Sequence, residues 1–290
     1  MISLVSLLST FIFQIKRPKI YKMPRLPYHL VDLRPWPITS AMRAIFIVLG
    51  IINWFHYSRT RILLLGTTIT TISMFLWWRD IVREATFIGK HTSYVQNNLK
   101  IGIILFIIRE VCFFFAFFWA FFHRSLTPSI EIGCTWPPIG IITINPIGVP
   151  LLNTMVLLSS GLTVTWSHHC LLSKKRTIAA ISILITITLG LYFTYLQIIE
   201  YNQAPFTIAD GIYGSIFYVT TGFHGAHVII GTSFLLVNLL RIIKAHFSRS
   251  HHVGLETATW YWHFVDVVWI CLYICIYWWG SLWYSVPLAQ

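Results

Sequence analysis

Two carboxylates stand where carboxylates are costly. Glu110 lies nine residues into an apolar run at 101–122, and Asp266 nine residues into another at 257–284. At 1.5 Å per residue, nine residues make about 13 Å of helix, close to the middle of a bilayer. An ionised carboxylate costs several kcal/mol there, so each acid is expected to be neutral, paired or facing a wet interior. The chemistry open to such groups is a proton relay or a substrate site. The alternative is a protonated carboxyl that fixes helix packing by hydrogen bonding. Adjacent helical residues diverge by about 100°, so Arg109 is expected to turn away from Glu110 and reach an acid on another helix, Asp266 being the candidate.

Imidazole is the second chemistry to weigh among the twelve histidines. His224 and His227 sit in TGFHGAHVIIG and His263 in WYWHFVD, while His168–His169 and His251–His252 lie near the ends of apolar runs. They would serve either as haem or copper ligands or as buried rings bonded to neighbouring helices. The five cysteines form no CxxC pair and read as packing thiols. No phosphate-binding glycine loop, nucleophile elbow or zinc-protease helix is present.

The elements that must carry these groups follow from composition. Hydrophobic residues are 56% of the chain and charged residues 10%, where a soluble protein has roughly 25% charged. Thirteen Trp, 13 Tyr and 21 Phe cannot be hidden behind so few charges, so the bilayer is the solvent. Soluble enzymes and nucleic-acid partners are excluded. Seven runs are long and apolar enough to span: 38–57, 62–78, 101–122, 149–171, 178–199, 212–240 and 257–284. Runs such as IGIILFII are apolar all round rather than alternating, so these are helices and not barrel strands. The expected organisation is an N-terminal extension and inner-side segment at 1–37, a seven-helix membrane domain at 38–285 and a tail at 286–290. The opening MISLVSLLSTFIFQI lacks a basic n-region and is short for a span.

Lys and Arg decide orientation. Alternate connections hold 17 basic residues on one side (Lys16 and Arg17 through Arg249) and three on the other (Arg59, Arg61 and Arg124), with Arg109 inside a span. By the positive-inside rule the N-terminal side is cytoplasm-like and the C-terminal side opposite. On the inner side WWRDIVRE at 77–84 is followed by His91, and Arg79 and Arg83 share a helix face. With Arg241 and His251 this composes either an anionic headgroup site or ordinary snorkelling at helix ends. The glycines of the sixth run would let helix backbones approach closely.

The strings MFLWWRDIVREATFIGKHT, EVCFFFAFFWAFFH, NPIGVPLLNT, TWSHH, APFTIADGIYGSIFYVTTGFHGAHVIIG and HHVGLETATWYWHFVDVVWICLYICIYWWGS closely resemble the cytochrome c oxidase subunit III family in its mitochondrial form. The resemblance runs from about His29 to Ser281 and departs at the chain ends and at Arg109, where a small or uncharged residue is expected. It implies an all-α fold in which helices 1–2 and 3–7 form two bundles around a V-shaped, lipid-holding cleft. It implies a non-redox core subunit, with haem and copper in partner subunits I and II, alongside accessory subunits and bound phospholipid such as phosphatidylglycerol or cardiolipin. No metal or catalytic residue is expected on this chain. Carried position by position, Glu110 matches a carboxylate that reacts with hydrophobic carbodiimides. Trp78, Arg83, Glu84, His91, Arg241 and His251 match residues lining headgroups. The implied role is to stabilise the catalytic subunit and sustain proton uptake in the mitochondrial inner membrane, N-terminus in the matrix and C-terminus in the intermembrane space. Two other readings compete: a stand-alone proton or solute carrier using Glu110 and Asp266, and a haem protein using His224, His227 or His263.

Overall fold

The structure is a computed structural model that describes residues 28–281. The segment 1–27, with Lys16, Arg17, Lys19, Lys22 and Arg25, and the tail expected at 286–290 lie outside the described residues. The described residues form seven long helices and no strand. These are α1 (Trp36–Tyr57), α2 (Arg61–Arg83), α3 (Ser93–Leu126), α4 (Val149–Leu172), α5 (Arg176–Gln203), α6 (Gly211–Ile243) and α7 (Val253–Leu272). All seven are long and apolar enough to cross a membrane. α2 runs on into a π-helical turn, Glu84–Ile88, and α7 into another, Tyr273–Trp278.

Local chemistry explains the boundaries. Pro37 and Pro150 sit in the first turns of α1 and α4, where a missing N–H costs nothing. Inside the helices Ser and Thr hydroxyls return to backbone carbonyls one turn earlier, as Thr68 does to Leu64 at 2.7 Å and Thr221 to Phe217 at 2.7 Å. A hydroxyl satisfied within its own helix can face an apolar solvent.

The chain divides into two compact units at Leu99/Lys100. In the first, α1 and α2 form a hairpin closed by two glycines. A Cβ on Gly50 would lie 2.5 Å from Leu63 Cα, and one on Gly66 3.0 Å from Ile47 N, so larger residues would push the helices apart. Arg43 Nη1 donates to the Thr70 carbonyl at 3.0 Å, and Trp36 Nε1 to Asp80 Oδ2 at 2.8 Å.

The second unit holds the core. Trp262 and Trp269 of α7 are fully buried and donate to Ser160 Oγ at 2.8 Å and Thr154 Oγ1 at 3.0 Å on α4. Buried indole N–H groups need such partners. Gly190 on α5 and Gly231 on α6 leave the slot that Trp262 fills. Of the sixth-run glycines, Gly214 does admit a close backbone, since a Cβ there would lie 2.1 Å from the Thr207 carbonyl oxygen, whereas Gly231 receives an aromatic ring and Gly222 and Gly225 face open space. Of the five thiols expected to pack, Cys170 is buried and half-buried Cys275 lies against the core, whereas Cys112, Cys134 and Cys271 are exposed.

Candidate functional site

Glu110 is the centre of the best-built polar site within the membrane span. It is 8% exposed on α3. Arg109 does not turn away from it: Nε and Nη2 donate to Glu110 Oε1 at 3.1 and 2.5 Å. The long guanidinium stem overcomes the 100° divergence by folding back along the helix surface. It packs over Phe106, 4.7 Å from the ring centroid. Asp266 is thus not the partner of Arg109. The other oxygen of Glu110 meets His227 Nε2 of α6 at 3.1 Å, while His227 Nδ1 lies 2.7 Å from the Phe223 carbonyl. A carbonyl only accepts, so Nδ1 carries a hydrogen. Nε2 thus faces Glu110 Oε2 across a gap of hydrogen-bond length that joins α3 to α6. Phe113, Phe114 and Phe264 ring the imidazole and keep the pair from water.

Asp266 is held differently. Its Oδ2 lies 3.7 Å from His263 Nδ1, beyond hydrogen-bond range, and its Oδ1 is buried without a hydrogen-bond partner among the described residues. Gly161 makes room for it, since a Cβ there would come within 2.6 Å of Oδ2. His263 Nε2 bonds Thr165 Oγ1 at 2.9 Å, and His224 Nε2 the Val265 carbonyl at 3.2 Å. Each of the rings His224, His227 and His263 thereby has at least one nitrogen engaged by protein.

A third buried acid, Glu200, lies one residue past the apolar run that ends at 199, outside the expected span. Only 3% exposed, it accepts from Tyr277 Oη at 2.6 Å and from Gln197 Nε2 at 3.2 Å. The spacing of Gln197 and Glu200, one helical turn apart, is the signal the sequence carries for it.

The six expected headgroup residues fall into both units. In the first, Trp78 is exposed and Arg83 lies 3.8 Å from Asp80. Glu84 opens the π-turn but faces inward: Arg34 grips one oxygen, and His29 Nε2 approaches the other at 3.3 Å. His91 meets His29 edge-on, with centroids 5.2 Å apart. His29, Glu84 and His91 bring three possible metal-ligating atoms within 4.8 Å of one another, though Arg34 already neutralises the carboxylate. In the second unit Arg241 is buried and stacks 4.2 Å from the Phe247 centroid. Burial, followed by the charge of Arg241, pushes His251 below its ordinary value.

The model of the family described as cytochrome c oxidase subunit III matches residues 26–281. The chain belongs to the cytochrome c oxidase subunit III family. Curated relatives named cytochrome c oxidase subunit 3 include that of Pisaster ochraceus, 62% identical over 255 residues, 88% of this chain and 98% of that protein. That of Paracentrotus lividus is 60% identical over the same shares of both chains. That of Lumbricus terrestris is 58% identical over 259 residues, 89% of this chain and 100% of its own. Subunit III membership thus covers every element described here, and the sites above are features of a subunit III chain.

Proposed function

We propose that this chain is the non-redox scaffold and lipid-holding subunit of a proton-pumping terminal oxidase in the mitochondrial inner membrane. As a subunit III family member it is a subunit of cytochrome c oxidase and a multi-pass membrane protein. The observation that carries the proposal is the family match across 26–281 together with relatives aligned over nearly their whole length. Within the complex, haem and copper belong to the neighbouring subunits I and II, and accessory subunits and phospholipids such as phosphatidylglycerol or cardiolipin complete the assembly. The N-terminal side faces the matrix and the C-terminal side the intermembrane space, in keeping with the 17-to-3 distribution of basic residues.

Two features support the chemical part. The imidazoles of His224, His227 and His263 each have a protein partner, which suits structural rings better than axial ligands. Exposed Trp78 and half-buried Arg83, and Arg241 with His251, suit anionic headgroups at the inner surface. Glu84 and His91 contribute there chiefly by positioning, since the Glu84 carboxylate is already claimed by Arg34. Neutralising both Arg83 and Arg241 is expected to lower the anionic phospholipid retained by the purified complex, at about 1 kcal/mol per charge. Unchanged lipid content would refute the headgroup assignment. A Soret band from the isolated chain would refute the non-redox assignment.

A further inference from the structure

The inner-side cations of this chain are not alike. Lys90 pairs with Asp32 at 2.7 Å, Lys100 with Glu256 at 2.8 Å, and Arg79 and Arg83 flank Asp80. The Lys90 ammonium, by hydrogen bond and charge, holds the Asp32 carboxyl below its usual range. Lys174, Lys175 and Arg249 meet no acid among the described residues, and with Arg176 they line one cavity of about 760 Å³. That volume falls within the range of small-molecule sites, roughly 300–1,000 Å³. Its lining carries four basic side chains and no acidic one.

The local backbone explains why these side chains are uncommitted. Lys174 takes a left-handed conformation (φ 61°) after α4. The N–H groups of Lys174 and Lys175 then close on the Leu171 and Cys170 carbonyls at 3.0 and 2.9 Å. The helix end is capped by backbone, leaving both ammonium groups free of that task. Arg176 donates through Nη2 to the Phe247 carbonyl at 3.5 Å. Leu171, Ile178 and the buried Phe247 supply an apolar wall beside the charges. A merely topological charge cluster needs neither a cavity nor an apolar wall.

We propose that this cavity between the α4–α5 turn and the segment after α6 binds a phosphate-bearing anion, its phosphate oxygens on Lys174, Lys175 and Arg249 and its apolar part on Phe247. Two sources share that chemistry: the headgroup of an anionic phospholipid, and a free phosphate compound from the aqueous phase. The site uses none of the six headgroup residues of the preceding reading and stands independently of it.

The test uses the whole oxidase complex in detergent, stripped of loosely held lipid. Mixed micelles of phosphatidylcholine with and without cardiolipin are offered in one arm, and labelled inorganic pyrophosphate in the other. Retained lipid is counted by native mass spectrometry, and pyrophosphate by equilibrium dialysis. At roughly fivefold per removed charge, Lys174→Gln with Lys175→Gln is expected to weaken binding about twenty-fivefold. Lys174→Arg with Lys175→Arg, and Arg124→Gln on the opposite side, should leave it intact. Loss confined to cardiolipin identifies a lipid source, and saturable pyrophosphate binding with the same variant pattern identifies a free phosphate compound; either supports the site. Unchanged binding of both probes in the Gln variant would overturn it, as would equal loss in the Arg variant. Lipid loss in the Arg83/Arg241 variant alone would remove this site and leave the headgroup assignment standing.

Discussion

Glu110 and Asp266 are both carboxylates deep in spanning helices of the same unit, each near a histidine, yet the fold treats them in opposite ways. Glu110 receives two bonds from Arg109 and meets His227 Nε2 at 3.1 Å. Asp266 stands 3.7 Å from His263 with its outer oxygen unbonded among the described residues, accommodated by the missing side chain of Gly161. The first acid is stabilised by opposite charge, the second by shape. Depth in the membrane therefore does not fix the state of a carboxyl; the reach of its neighbours does.

Breaking the charge-held site should cost most. His227→Ala removes one partner of a buried pair and opens a gap among aromatic rings, so a loss of about 3 kcal/mol is expected. The thermal midpoint of the purified complex measures it, and a midpoint within a degree of the parent would contradict the pairing. Gly161→Ala attacks the shape-held site. A Cβ 2.6 Å from Asp266 Oδ2 must displace the carboxylate or the helix, at about 1–3 kcal/mol. Combining it with Asp266→Ala should restore most of the loss, and failure of that rescue would show the strain lies elsewhere.

Arg109→Gln sharpens the contrast by removing the charge beside Glu110 while leaving the His227 contact in place. Labelling of Glu110 by a hydrophobic carbodiimide should rise, because the guanidinium no longer covers Oε1. Equal labelling rates would remove Arg109 from the control of that carboxyl. Glu110→Gln should abolish labelling there with haem spectra retained.

The smallest effect separates both pairs from ordinary acid sensitivity. Burial first, then the charges of Arg241 and Lys244, lower His246 to about 4. Its folded value lies below the ordinary 6.5, so its neutral form stabilises fully above pH 6.5 and that contribution fades as pH falls toward 4. The ring is half-buried, so solvent screening limits the effect to about 1 kcal/mol or less. His246→Asn should flatten the thermal midpoint between pH 7.5 and 5, and an unchanged slope would place the acid response on another group.

The seven spans are legible in the sequence because an apolar run of twenty residues suits little besides a lipid interior, and Glu110 is legible because it interrupts one. Its partner His227 is not, being 117 positions away, since a single sequence says nothing of which helix faces meet. Arg109 misleads because the angle between adjacent residues matters less than the length of a flexible side chain. Glu200 hides because it lies one residue beyond an apolar run, though its helix continues to Gln203. Lys174 and Lys175 add to the topological charge balance like any other cations, and that balance conceals which of them have acids beside them.

The glycine-closed hairpin of α1 and α2 has a bearing on how the protein is made. Only Gly50 of α1 is buried, whereas α6 and α7 have half of their spans enclosed. The contacts that close this hairpin, at Gly50, Gly66, Arg43 and Trp36, lie within its own two helices and can form once the second has left the ribosome. Synthesis can then deliver α1 and α2 to the lipid as a finished pair, while α4 to α7, which bury one another, must wait for Trp262 and Trp269 at the far end of the message before their interior is filled.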